Sequence, residues 1–63
     1  MRENLRVARK AKQMTQQQAA KAVGISQIGY RQIESGKRLG KIETWDKLED
    51  LFGIPQRTLR KTD

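Results

Sequence analysis

The stretch from Thr15 to Arg38, TQQQAAKAVGISQIGYRQIESGKR, constrains the fold more than any other part of the chain. It holds two helix starts and two helix stops in close succession. Thr15 and Gln18 form a T-x-x-Q pair, whose side chains can satisfy two orphan backbone donors at a helix N-terminus. Ala19, Ala20 and Val23 follow as a small apolar stripe at helical spacing. Gly24 ends that helix, because glycine enters the left-handed conformation without steric cost. After Ile25, Ser26 is a favourable N-cap for a second helix. Tyr30 and Ile33 are its inward face, and Gly36 closes it. The spacing therefore predicts two short helices joined by a tight turn, with small residues that let them pack closely.

Two helices in this relation make a helix-turn-helix, the arrangement in which the second helix lies in the major groove of DNA. Charge points the same way. The chain has 63 residues and a net charge of +7. Residues 1–41 hold ten Lys/Arg against Glu3 and Glu34, whereas residues 42–63 hold four basic against five acidic side chains, so the excess lies wholly in the first part. A basic half on a small helical chain is the footprint of a polyanion binder. A solvated basic surface is the plainer alternative, and charge alone does not decide between them.

The remaining pattern predicts three more helices. The first runs from about Arg2 to Lys12, with Leu5, Ala8 and Ala11 inward, Arg2, Arg6, Lys10 and Lys12 outward, and Val7 partly exposed. Met14 is an apolar plug before the second helix. Beyond Gly36, KRLGK is a basic connection in which Leu39 is expected to be half buried, with Gly40 as a turn signal. The fourth helix starts near Ile42 and carries Ile42, Trp45, Leu48, Leu51 and Phe52 on one face and Glu43, Asp46, Glu49 and Asp50 on the other. Gly53 ends it. Pro55 opens a short fifth helix whose Leu59 returns to the core, and Thr62 and Asp63 are expected to fray. The expectation is an all-α fold in one domain over 1–63, with the two-helix unit at about 15–35. Trp45 and Tyr30 could be imagined as a stacking platform for bases. Their place on apolar helix faces makes them core residues instead.

Several functions are set aside by missing parts. There is no Cys and no His, so disulfides, thiolate chemistry and the commonest metal ligands are absent. The carboxylates of the fourth helix lie on a solvated face with no desolvating pocket, and no catalytic residue is assigned. GKRLGKI is one residue short of a nucleotide-binding loop and has Ile42 where that motif needs Ser or Thr. No cofactor and no metal are expected. No apolar run is long enough for a membrane span and no signal-peptide pattern is present, so the plain expectation is a cytoplasmic protein.

The sequence also resembles the helix-turn-helix domain of the lambdoid phage repressor and Cro proteins, the Xre-type family. The likeness rests on Leu5…Ala8-Arg9, Met14-Thr15-Gln16, Ala20…Val23-Gly24-Ile25-Ser26, Ile33-Glu34…Gly36-Lys37-Arg38 and the segment IETWDKLEDLFGI. Together these cover nearly the whole chain. Ala8 and Ala19 stand where the family usually has Leu or Ile, and Tyr30 where it usually has a β-branched residue, which implies a differently filled core.

The resemblance implies a five-helix, lambda-repressor-like fold and a transcriptional regulator, a repressor by preference, that acts as a homodimer on two-fold related half-sites of double-stranded DNA. It implies that Gln27, Ile28 and Gln32 read bases, with Arg31 on a base or a phosphate. Gln suits adenine, Arg guanine, and an apolar side chain a thymine methyl. Gly29 would let the helix approach the groove wall. Gln16 and Ser26, at helix N-termini, and Lys37, Arg38 and Lys41, in the basic connection, would contact phosphates. Arg9 and Glu34 fall where the family often places a buried ion pair. Dimer contacts would come from the loop after the third helix and from Pro55–Arg60. The competing expectation is a protein-interaction module of the same fold, an antitoxin or coregulator, since fold does not fix function.

Overall fold

The computed structural model describes residues 1–62, and Asp63 lies outside them, as does the expectation that it frays. Among the described residues the chain forms five helices and no strand: α1 (Glu3–Ala11), α2 (Gln16–Val23), α3 (Gln27–Ser35), α4 (Ile42–Phe52) and α5 (Gln56–Leu59). No helix is long and apolar enough to cross a membrane.

The helix ends form as the local chemistry dictates. The Thr15 hydroxyl accepts from the Gln18 backbone N–H at 3.1 Å, and the Gln18 side chain accepts from the Thr15 backbone N–H at 2.9 Å. Each side chain thereby satisfies a donor that the helix start leaves open. Ser26 Oγ accepts from the Gly29 N–H at 3.0 Å and starts α3. Gly24, between α2 and α3, takes φ 76°, which only glycine adopts cheaply. Gly40 is constrained twice. Its φ is 85°, and a Cβ there would lie 2.9 Å from Ile33 Cδ1 and 3.4 Å from the Trp45 indole nitrogen.

The core joins all five helices: Leu5 and Ala8 from α1, Ala19, Ala20 and Val23 from α2, Tyr30 and Ile33 from α3, Trp45, Leu48 and Phe52 from α4, and Leu59 from α5. Met14, Ile25, Leu51 and Ile54 pack at its margin. Tyr30, fully buried, occupies volume beside a helix pair whose own contributions are mostly alanine. Trp45 and Tyr30 are thus core residues and unavailable for stacking on bases.

Four expectations about burial need correction. Ile42 is 64% exposed, and Thr44 is buried on α4 instead. Three-residue steps fall about 60° short of a full turn, so a stripe drawn through them drifts off the buried arc at its end. Leu39 is 62% exposed; the loop is tied down by its carbonyl, which accepts from the Trp45 indole N–H at 2.6 Å. Ala11 is exposed in the last turn of α1. Arg2, expected outward, is 4% exposed. It precedes α1 with φ −89° and ψ 81°, outside helical geometry, so the helical wheel does not govern its direction.

Candidate nucleic-acid interface

Helix α3 has two faces of different chemistry. Gly29, Tyr30, Ile33 and Glu34 are buried. Gln27, Ile28 and Arg31 are exposed, with Ile28 at 61%, and Gln32 is half-buried. At about 100° per residue, Gln27, Ile28, Arg31 and Gln32 fall within an arc of roughly 140° on one side of the helix. That arc presents amides, a guanidinium and an aliphatic side chain together. Gly29 does not belong to it. A Cβ on Gly29 would lie 3.1 Å from Ser26 Oγ and 3.7 Å from Arg38 Nη1. The missing side chain leaves room for the N-cap hydroxyl and for Arg38, beside the cleft described next.

A cleft of about 470 Å³ opens where the front of α3 meets the start of α4; Ser26, Arg38, Lys41 and Thr44 line it, over a floor that includes Ile25 and Ile33. It brings together three of the residues expected at phosphates. Lys37 is exposed in the same connection, just after α3. The connection is therefore a cationic edge beside the outward arc of α3.

Gln16, half-buried in the first turn of α2, has a partner within the chain: its amide donates to Glu34 Oε2 at 3.3 Å. Glu34 is the centre of a buried polar cluster. Arg9 Nε donates to its two oxygens at 3.3 and 3.1 Å, Arg9 Nη2 donates to Oε1 at 3.1 Å, and Arg9 Nη1 donates to the Met14 carbonyl at 2.8 Å. The ion pair ties α1 to the end of α3 and, through Gln16 and Met14, to the entry of α2. It thereby fixes α3 against the rest of the molecule.

Tyr30 Oη is buried near this cluster with no hydrogen-bond partner among the described residues. Burial, and then the negative charge of Glu34, push its pKa well up from the usual tyrosine range. Tyr30→Phe should leave stability unchanged or raise it by up to about 1 kcal/mol, because an unpartnered buried hydroxyl gains nothing from the fold. Above about pH 10 the tyrosine ionises in the unfolded chain but not in the folded one, so stability falls as pH rises there. Thermal melts of the two proteins at pH 8 and pH 10.5 check both points. A clear loss of stability in Tyr30→Phe at pH 8 would mean that the hydroxyl is satisfied in solution.

Arg2 is the residue that the sequence pattern missed. Its Nη1 donates to the carbonyls of Ile33 (2.6 Å) and Arg38 (2.8 Å), and its Nε donates to that of Arg60 (2.9 Å). Its backbone N–H donates to the Glu34 carbonyl at 2.8 Å. Burial, and next the charge of Arg60, lower its pKa from the ordinary arginine value. On α1 the half-buried pair Arg6–Glu3 is joined at 2.7 Å, which raises the pKa of Arg6 and lowers that of Glu3. Away from the basic edge, Glu43, Asp46 and Asp50 form an exposed acidic face on α4, where Gln56 donates to Asp46 and Glu49 at 2.7 and 3.1 Å.

No curated protein and no solved structure matches this chain. A family model described as helix-turn-helix, of the Cro/C1 type, matches residues 5–59, nearly the full length and all five helices. With two capped helices across a glycine turn, an outward polar arc on the second and a cationic loop beside it, the chain belongs to the Cro/C1-type helix-turn-helix family of DNA-binding domains.

Proposed function

We propose that this chain is a sequence-specific transcriptional regulator, acting as a repressor, that lays α3 in the major groove of B-form DNA. The observation that carries this reading is the outward arc of α3: Gln27, Ile28, Arg31 and Gln32 lie together on the side opposite the core. These groups can read base edges, with Gln bonding adenine, Arg bonding guanine and Ile meeting a thymine methyl. Gln16, Ser26, Lys37, Arg38 and Lys41 set the register by contacting phosphates. Gln16 has a second amide hydrogen for this while it holds Glu34. One α3 reads too few base pairs for useful specificity, so two copies occupy two-fold related half-sites, meeting through the loop after α3 and Pro55–Arg60. Such a regulator works in the cytoplasm, on chromosomal or phage DNA.

Duplex binding across a salt titration tests the reading. Affinity should fall steeply with salt, and Lys37→Ala and Lys41→Ala should each weaken all duplexes alike and lower the slope by about one. A variant that changes sequence preference at constant slope would place its residue on a base instead. Absence of duplex binding at low salt would favour the other reading, an antitoxin or coregulator that uses the exposed acidic face of α4 against a basic protein.

A further inference from the structure

Arg2 is a buried cation with no carboxylate partner. The ion pairs among the described residues are Arg6–Glu3 and Arg9–Glu34. Its side-chain hydrogen bonds go to backbone carbonyls, and the choice of carbonyls is informative. Ile33 lies in the last turns of α3, Arg38 in the basic loop and Arg60 just past α5. The first of these, near the C-terminus of α3, already accepts from the Gly36 N–H at 3.2 Å and takes Arg2 as a second donor, where a cation also suits the helix dipole. The second lies between Lys37 and Lys41, in the middle of the cationic edge. Arg2 Cζ also sits 5.3 Å from the centroid of the Trp45 ring, a cation–π distance. The indole N–H of that same Trp45 holds the Leu39 carbonyl at 2.6 Å. Consecutive loop carbonyls, Arg38 and Leu39, are thus fastened to one guanidinium–indole stack, while the side chains of Lys37, Arg38 and Lys41 remain exposed.

We propose that Arg2 is a positioning residue for DNA binding: it clamps the 37–41 loop to the ends of α3 and α5, so that the loop's cations are set for phosphates before DNA arrives. This rests on the DNA-binding reading above. The physical gain is preorganisation. A loop that is already fixed does not lose backbone freedom on binding, so more of each phosphate contact appears as affinity. Arg2 itself is too buried to touch a phosphate, and its contribution passes through the loop. A lysine cannot replace it, because one ammonium lacks the planar fork that spans several carbonyls at once.

The test compares wild type, Arg2→Met, Arg2→Lys and the core variant Val23→Ala on one duplex at fixed salt, with affinities corrected for the folded fraction. Exchange of the Trp45 indole proton is read against exchange of the Leu48 backbone amide in the protein without DNA. In both Arg2 variants, indole exchange should speed up relative to Leu48, and affinity should fall about tenfold on every duplex. Val23→Ala should lose stability while its folded fraction binds as wild type does. Should Arg2→Met fail to fold, Arg2→Lys decides. Wild-type affinity in the folded Arg2 variants, or a loss no larger than that of Val23→Ala, overturns the proposal and leaves Arg2 a stabilising residue only. If the wild type itself shows no salt-dependent affinity, the DNA-binding reading has failed and the proposal falls with it; if the wild type binds and Arg2→Lys binds equally well, only the proposal falls.

Discussion

Replacing Glu34 by Gln is expected to lower the thermal midpoint more than any other single exchange of similar shape in this chain. Glu34 is 1% exposed and accepts from Arg9 and Gln16, and nothing else among the described residues ion-pairs with Arg9. A neutral amide in place of the Glu34 carboxylate would leave Arg9 buried and uncompensated, and Arg9→Met would do the same to Glu34. Breaking a buried pair from one side costs roughly 3–5 kcal/mol. A domain of this length has in all about 3–9 kcal/mol of stability at the usual increment per residue. Either variant should therefore be largely unfolded at 37 °C or melt far below wild type, since each kcal/mol moves the midpoint of so small a domain by about 4–8 °C. The double variant should lose less than the two single losses added, because it leaves no stranded charge. Melts followed by far-ultraviolet circular dichroism supply all four values. Wild-type midpoints in both single variants would mean that water screens the pair.

The second large effect is on sequence choice. Gln27 stands in the first turn of α3, directly after the N-cap, and is exposed. A recognition helix that enters the groove N-terminus first carries this side chain deepest. Gln27→Ala should cost roughly 1–3 kcal/mol on the cognate duplex, which selection from random sequences would supply. On random duplex the loss should be much smaller, since only the cognate site offers the matching adenine edge. Both losses are measured at one salt concentration. Equal losses on the two duplexes would assign Gln27 to a phosphate and leave base reading to Ile28, Arg31 and Gln32.

The helix boundaries were legible because their causes are local. Thr15, Gln18, Gly24, Ser26, Gly36 and Gly53 act within three or four residues of where they stand. The buried faces of α2 and α3 were legible for a related reason: residues 19, 20, 23, 30 and 33 all lie within their helices, where the helical period holds. The pattern failed at the edges. Ile42 begins α4 and has drifted off the buried arc, although its type suits a core. Arg2 lies one residue before α1, and its partners are backbone carbonyls, which every residue type carries and no sequence distinguishes. Leu39 misled in the same way, since the anchor is its carbonyl and not its side chain. The Arg9–Glu34 pairing could be named only from resemblance; nothing in the chain's own periodicity joins positions so far apart. The occupation of Gln16 by Glu34 and the unpartnered Tyr30 hydroxyl depend on three-dimensional placement alone.

The meeting of α1 with α5 has a consequence for how the molecule folds. α2 and α3 are neighbours in sequence and can pack as soon as both exist. The contacts that close the core are of another kind: Leu59 packs into a core with Leu5, Asn4 donates to the Thr58 carbonyl, and Arg2 reaches the Arg60 carbonyl. These contacts pair residues 2–5 with residues 58–60, so the pair α2–α3 can form and still lack a closed core. Non-local closure of this sort slows folding, because the entropy of a long loop is spent before any contact repays it. A circular permutant with its old ends joined by a short linker and its new ends at the exposed Gly53 turn makes α5 and α1 consecutive. The α1–α5 closure then becomes local, while the packing of α4 on α5, with the Gln56 bonds to Asp46 and Glu49, becomes the contact between last and first helices, so the permutant moves the slow step to a different seam.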